Sequence, residues 1–294
     1  GMAAILSVIV LGDESGYELG EVQRVKLAAV EAEWETHEPP APFTVIGFPN
    51  QETMETDYAV KIPGALGLIA TRSVDEEIVG IKDLLKEHEL RIRRGIEAYA
   101  LLEKMRHGDK SDPTIATFDA LKDDLGYGLL LKKYTNNVVD ASEEQIKQAA
   151  HDTIPKVAPM FWAFRLMVGL GFLMLILISL SFYYSTQHNV ETKTWLLKAL
   201  IISLPVPWIA CEVGWFVAEF GRQPWAIGEI LPTYVATSTL SETDLWLSIA
   251  GFAALYTFFL CIEVFLMIKY IRKGPSSLET GRYHHEQLGE TQHV

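Results

Sequence analysis

Three apolar runs, residues 157–184, 195–220 and 245–268, constrain this chain more than any other feature. They are 28, 26 and 24 residues long, and a helix of about 20 apolar residues crosses the hydrocarbon core of a bilayer. The excess length allows some tilt. In lipid every backbone N–H and C=O needs a partner within the protein, so all three runs are predicted to be helices. A fourth apolar stretch, residues 1–12, is too short to span. It reads as a core strand, a signal remnant or the tail of a transmembrane helix.

Charge separates the chain into unlike parts. The formal net charge is −13. Residues 13–156 hold 17 basic and 28 acidic side chains, against 8 and 10 in the remainder. This acidic balance argues against nucleic acid as a partner, because phosphate binding needs clustered Lys and Arg. Basic residues lie in or beside the 185–194 loop (Lys193, Lys198) and in the tail 269–294 (Lys269, Arg272, Lys273, Arg282). The positive-inside rule therefore predicts that both are cytoplasmic. Residues 13–156 and the loop 221–244 then lie on the outer face.

The outer segment is patterned for folding. Ile78, Ile81, Leu84, Leu85, Ile92, Ile96, Tyr99 and Leu102 recur at helical spacing, which predicts an amphipathic helix over 75–107 with kinks at Gly80 or Gly95. Ser142-Glu-Glu-Gln145 has the form of a capping box. Residues 38–74, rich in Pro and Gly, read as irregular with short strands. Cys211 and Cys261 fall inside apolar runs and are predicted to be reduced core residues; they form no ligand spacing.

Ionisable residues inside the spans are the candidates for function, because charge at membrane depth costs several kcal/mol. Glu212 and Glu219 are seven residues apart, nearly two helical turns, and share one face with Trp215. That stripe is predicted to face protein or a cofactor. Arg222, three residues beyond Glu219, suits a local ion pair. Pro205 and Pro207 break the backbone ladder and predict a kink. Arg165 either snorkels to the outer interface or pairs with a buried anion, such as a cofactor carboxylate. Met167 reads as packing, or as a haem ligand. Glu263, in the last span, reads as protonated or paired across helices. Lys26 and Glu31, about 140° apart on a helix, read on composition alone as solvated surface charges.

Several stretches together resemble subunit I of cytochrome bd oxidases. They are Gly12-Asp-Glu-Ser-Gly-Tyr-Glu-Leu-Gly20, Lys26-Leu-Ala-Ala-Val-Glu31-Ala-Glu-Trp34, Ile62-Pro-Gly-Ala-Leu-Gly-Leu-Ile-Ala-Thr-Arg-Ser73, Asp124-Leu-Gly-Tyr-Gly-Leu-Leu-Leu131, Phe164-Arg-Leu-Met167, Trp215-Phe-Val-Ala-Glu219-Phe-Gly-Arg-Gln-Pro-Trp225, Gly274-Pro-Ser-Ser-Leu278 and Thr280-Gly-Arg-Tyr-His284. The likeness covers essentially the whole chain, and the stretch from Trp215 to Trp225 is its most specific part.

The resemblance implies an all-α integral membrane protein of the bacterial plasma membrane. It would have three complete transmembrane helices, the tail of a fourth at 1–12, and a mostly helical extracytoplasmic quinol loop at 13–156. Such an oxidase oxidises ubiquinol or menaquinol at the outer face and reduces dioxygen to water. Lys26 and Glu31 match residues for quinol binding and oxidation. Met167 matches an axial ligand of the low-spin b haem iron, with Arg165 beside it. Glu219 matches the ligand of the high-spin b haem, Trp215 the aromatic residue between haems, and Arg222 a loop arginine near that centre. A subunit II and a small accessory subunit are implied partners, and haem d an implied cofactor. All eight histidines lie outside the apolar spans. The His ligands of the low-spin haem and the haem d ligand are therefore expected from helices preceding this stretch, and the chain alone is expected to be inactive. Without the resemblance, the intramembrane glutamates would equally suit a proton- or cation-coupled transporter, or an inactive assembly fragment.

Overall fold

A computed structural model describes residues 2–73, 75–108 and 111–273. The motifs beginning at Gly274 and Thr280, with His284, His285 and His293, lie outside the described residues. The chain divides into two units, 1–237 and 238–294.

The first unit opens with α1 (Met2–Val22) and α2 (Arg24–Glu31). Residues 2–12 are thus helical, which removes the strand reading. The αL residue Ala32, at φ 55° and ψ 42°, ends α2 and returns its N–H to Ala28 and Ala29. For a non-glycine residue that conformation costs about 1–2 kcal/mol. It turns the chain sharply, so that Glu33 and Trp34 enter the interior.

Residues 38–74 are more regular than their Pro and Gly content predicts. Strands β1 (Phe43–Asn50) and β2 (Glu55–Ile62) form an irregular antiparallel hairpin, and α3 (Ala65–Ala70) follows. Asn50 Oδ1 accepts from the N–H groups of Glu52 and Thr53 at the tip. Beside it, Gln51 Oε1 accepts from Val157 N at 3.0 Å. A hairpin tip thus caps a helix that begins 106 residues later, satisfying an N–H with no partner inside its own helix.

Helix α4 (Ile81–Arg106) starts at the extended residue Gly80 and runs through Gly95 without a break. Ile81, Leu84, Leu85, His88, Ile92, Gly95, Ala98 and Tyr99 form its buried face. After α5 (Asp112–Leu121), the short helix α6 (Leu125–Leu129) crosses α4 where two glycines meet. A Cβ on Gly95 would lie 2.3 Å from Gly128 N and 2.4 Å from Asp124 O. Backbone atoms cannot yield to it. Gly95→Ala is therefore expected to cost about 1–3 kcal/mol by overpacking, read as a lower denaturation midpoint; an unchanged midpoint would refute so close a crossing. The capping box at Ser142 starts α7 (Glu143–Asp152) with both reciprocal bonds formed.

Helix α8 (Val157–Thr186) covers the first apolar run. The second is split into α9 (Thr194–Ile202) and α10 (Val206–Phe220), with Pro205 at the junction and Pro207 in the first turn of α10, where a missing N–H is tolerated. Strands β3 (Trp225–Ile227) and β4 (Leu231–Pro232) form a small hairpin beyond α10. In the second unit, α11 (Glu242–Lys273) starts at Ser241, whose hydroxyl accepts from Asp244 N. Three helical stretches, ending at Thr186, Phe220 and Arg272, are long and apolar enough to cross a membrane. The two small hairpins are the departure from an all-α fold.

The core of the first unit is built from α2, α4, α6 and α7 together with the first turns of α8. Tyr127, Phe161, Ile92, Leu131, Met160 and Val138 are its largest wholly buried apolar members. Cys211 and Cys261 are exposed, contrary to the prediction that they are core residues. In a membrane span an apolar position can face outward, so hydrophobicity there does not signal burial in protein.

Candidate functional site

The site grows from the contact of α2 with the first turns of α8. Arg165 is buried and paired within the protein, the second of its two readings. Its Nη2 lies 3.0 Å from Glu31 Oε2. Nη1 donates to Val30 O at 2.7 Å and Phe161 O at 3.2 Å, Nε donates to Val45 O at 3.0 Å, and Nη2 also donates to Thr44 O. The guanidinium stacks on the Phe161 ring, 3.3 Å from its centroid. One side chain thereby ties α2, β1 and α8 together. The buried anion sought for Arg165 is thus a protein carboxylate, Glu31.

Lys26 and Glu31 are 7% and 3% exposed, so the surface-charge reading of both is overturned. Helix α2 is short and lies between other elements, which a helical-wheel argument on its own sequence cannot reveal. Burial pushes the Glu31 carboxyl up to about 7, only partly offset by Arg165. Burial, and then the nearby Arg222 charge, lower the Lys26 ammonium from its ordinary value, while Glu219 acts in the opposite sense. Lys26 Nζ donates to Ala218 O at 3.0 Å, at the end of α10.

Lys26, Glu31 and Met167 line one cavity of about 610 Å³. Its remaining wall comes from α1, α3 and α10, including Leu19, Leu66 and Val217. A Cβ on Gly214 would sit 2.9 Å from Met167 Sδ, so glycine at that position lets the thioether lie against α10. Lys26 also borders a second cavity of about 490 Å³, lined by His88, Tyr127, Arg222, Trp225 and Glu229.

At the end of α10, Arg222 Nη2 pairs with Glu219 Oε2, as the three-residue spacing suggested, and both side chains are about two-fifths exposed. Trp215 is 66% exposed, and Glu212 is exposed too. The Glu212–Trp215–Glu219 stripe is therefore an open face of the unit 1–237, apart from the Lys26–Glu31–Met167 cavity. Gly221 passes beneath Lys26: a Cβ there would meet Lys26 Cγ at 2.9 Å and Met160 Cε at 2.4 Å.

Two groups of residues escaped the sequence reading. Arg91 bonds Asp124 and Glu229, each at 2.6 Å, and lies over the Tyr127 ring. It fastens the loop after α10 to α4 and α6, and so steadies Arg222. Glu33 is buried and pairs with His37 at 3.1 Å. Its place two residues after Glu31 was visible in the sequence, but its inward direction depends on the αL turn at Ala32. Among the described residues no cluster of His, Cys, Asp and Glu has the form of a metal site.

Residues 1–275 match the family described as cytochrome bd terminal oxidase subunit I. The chain is 44% identical over 280 residues to cytochrome bd-II ubiquinol oxidase subunit 1 of Escherichia coli (strain K12), a match covering 95% of this chain and 54% of that protein. It is 25% identical over 275 residues to cytochrome bd ubiquinol oxidase subunit 1 of Bacillus subtilis (strain 168), covering 93% and 47%. The chain thus spans about half the length of the curated relatives it matches. With the family matched along nearly its whole length and three helices able to cross a bilayer, this is a membrane protein that belongs to the cytochrome bd terminal oxidase subunit I family.

Proposed function

We propose that this chain is the quinol-oxidising part of subunit I of a respiratory cytochrome bd oxidase. One observation carries the reading. The stretches resembling the family, far apart in sequence, converge on the 610 Å³ cavity: Gly12–Leu19, Lys26–Glu31, Leu66–Ala70 and Phe164–Met167 all contribute to its lining. It is mainly apolar, suiting a quinol ring and tail, and among its charged lining residues Lys26 and Glu31 offer an ammonium and a buried carboxyl to the hydroxyls.

In this reading Glu31 is the base. A carboxyl with a pKa of about 7 is half ionised near neutrality, which favours proton transfer in both directions. Arg165 fixes its orientation and keeps it from folding back on the backbone. Lys26 donates a hydrogen bond to a quinol oxygen, exchanging it for the one it makes to Ala218. The lowered proton affinity of Lys26 makes it a better donor than an ordinary lysine.

Met167 would hold the low-spin b haem iron through its thioether. Its thioether lies in an apolar wall and needs no hydrogen bond, which fits that role. Glu219 would hold the high-spin b haem iron, with Arg222 as its counter-charge and Trp215 on the same face of α10. When bound, the two b haems and haem d accept the quinol electrons singly and deliver them to dioxygen. The remaining ligands come from the rest of subunit I, and subunit II and a small accessory subunit complete the assembly. Residues 13–156 and 221–244 lie outside the bacterial inner membrane; 185–194 and 269–294 lie in the cytoplasm.

Met167→Leu tests the ligand assignment. In the complete oxidase it is expected to alter the low-spin b absorbance selectively, measured as reduced-minus-oxidised spectra. An unchanged spectrum would remove Met167 from the coordination sphere.

A further inference from the structure

Quinol oxidation releases protons into a cavity whose base, Glu31, is buried and held by Arg165. We propose that Glu33 and His37 carry those protons from Glu31 to the outer solvent. The proposal rests on the quinol-oxidising reading above and deepens it.

The geometry assigns Glu31 and Glu33, two residues apart, to two different cavities. Glu31 lines the 610 Å³ cavity and Glu33 does not. Glu33 lines a separate, more open cavity of about 300 Å³, together with His37, Glu35, Thr56 and Lys61, and Glu31 does not. The αL turn at Ala32 sends the two side chains to opposite sides. The backbone of Glu33 is pinned by Glu33 N to Ala28 O at 2.9 Å and by Ile81 N to Glu33 O at 2.9 Å.

The Glu33 side chain is 2% exposed. Its Oε2 lies 3.1 Å from His37 Nε2, while Oε1 is buried with no hydrogen-bond partner. A buried oxygen left unsatisfied is a cost without a structural return, and such groups concentrate at functional sites. His37 is 35% exposed on its side chain and is held in place by paired backbone bonds with Ile78. It therefore joins a buried carboxyl to solvent in one step.

The surrounding charges favour passage. Glu33 is faced by Lys61 from β2, by Glu31 from α2 and by Arg165 from α8; His37 is faced by Lys61 and Glu35. Burial pushes the Glu33 carboxyl up to about 7, the same value as Glu31, and the Glu31 charge adds to that shift. The proton leaves a quinol O–H for Glu31, moves from Glu31 to ionised Glu33, and passes from the Glu33 hydroxyl to neutral His37 Nε2. The imidazolium then releases it to water, and each carboxyl returns to its starting state. Two passages clear one quinol, whose two electrons leave singly to the haem acceptors.

The test uses the complete oxidase with Glu33→Gln and, separately, His37→Gln. Oxygen uptake is driven by a quinol and, in parallel, by a one-electron donor that carries no proton. The ratio of the two rates is expected to fall about tenfold in each variant, within the range of a lost acid–base group. Added soluble buffer is expected to restore the ratio in His37→Gln, whose site is open to solvent. A wild-type ratio in His37→Gln, or an equal fall with both donors, would overturn the relay. His37→Gln keeps the test decisive if Glu33→Gln does not fold. A wild-type complex that consumes oxygen with the one-electron donor but never with quinol would instead overturn the parent reading, and the relay with it.

Discussion

Replacing Arg165 by alanine is expected to destabilise the chain by about 3–5 kcal/mol, the range for removing one partner of a buried ion pair. The loss has three sources. Glu31 keeps its burial but loses its counter-charge, and escapes part of the cost only by taking up a proton. The carbonyls of Val30, Thr44, Val45 and Phe161 lose their donor. The Phe161 ring loses the guanidinium stacked on its face. Arg165→Lys is expected to recover only part of this, because an ammonium cannot reproduce a planar fork serving α2, β1 and α8 at once. Thermal unfolding of the detergent-solubilised complex measures both variants. An alanine variant melting with the wild type would show that this cluster does not hold the outer segment to α8.

Glu31→Gln is expected to leave the fold nearly intact and to reduce quinol turnover by about 10²–10⁴-fold, the usual span for a lost general base. Glutamine keeps the shape and one acceptor for Arg165, so stability should change far less than in Arg165→Ala. The pH profile carries a further sign. The Glu31 carboxyl, pushed up to about 7 by burial, accepts a proton only when ionised. Wild-type quinol oxidation should therefore rise as pH rises through about 7, and that limb should vanish in Glu31→Gln. Steady-state rates across pH decide it: a glutamine variant retaining both rate and slope would assign the proton transfer to another group.

The spans were legible in the sequence because membrane helices announce themselves by length and composition alone. The capping box at Ser142 and the break at Pro205 were legible for the same reason: each depends on a few neighbouring residues. The hairpin 43–62 was only half visible, since Pro49 and the irregular register obscure the alternation that marks strands. The site was legible mainly through resemblance. Composition alone placed Lys26 and Glu31 on the surface, because the group that buries Glu31, Arg165, is 134 residues away. Glu33 was invisible as a functional residue for a related reason. Its direction is decided by one αL alanine, and alanine carries no signal for that conformation. The open Glu212–Trp215 face shows the converse: the sequence marked it as needing a cover, and nothing in unit 1–237 supplies one.

The Gln51 cap on α8 also bears on biogenesis. Residue 51 leaves the ribosome long before Val157, and Glu31 longer still before Arg165. At about 5–20 residues per second, the 134 residues separating Glu31 from Arg165 take roughly 7–27 s to synthesise. During that interval the hairpin tip has no helix to cap and Glu31 has no counter-ion. The cavity beside Glu31 therefore cannot close until α8 has been made, so this part of the fold is completed late, by a helix far along the chain.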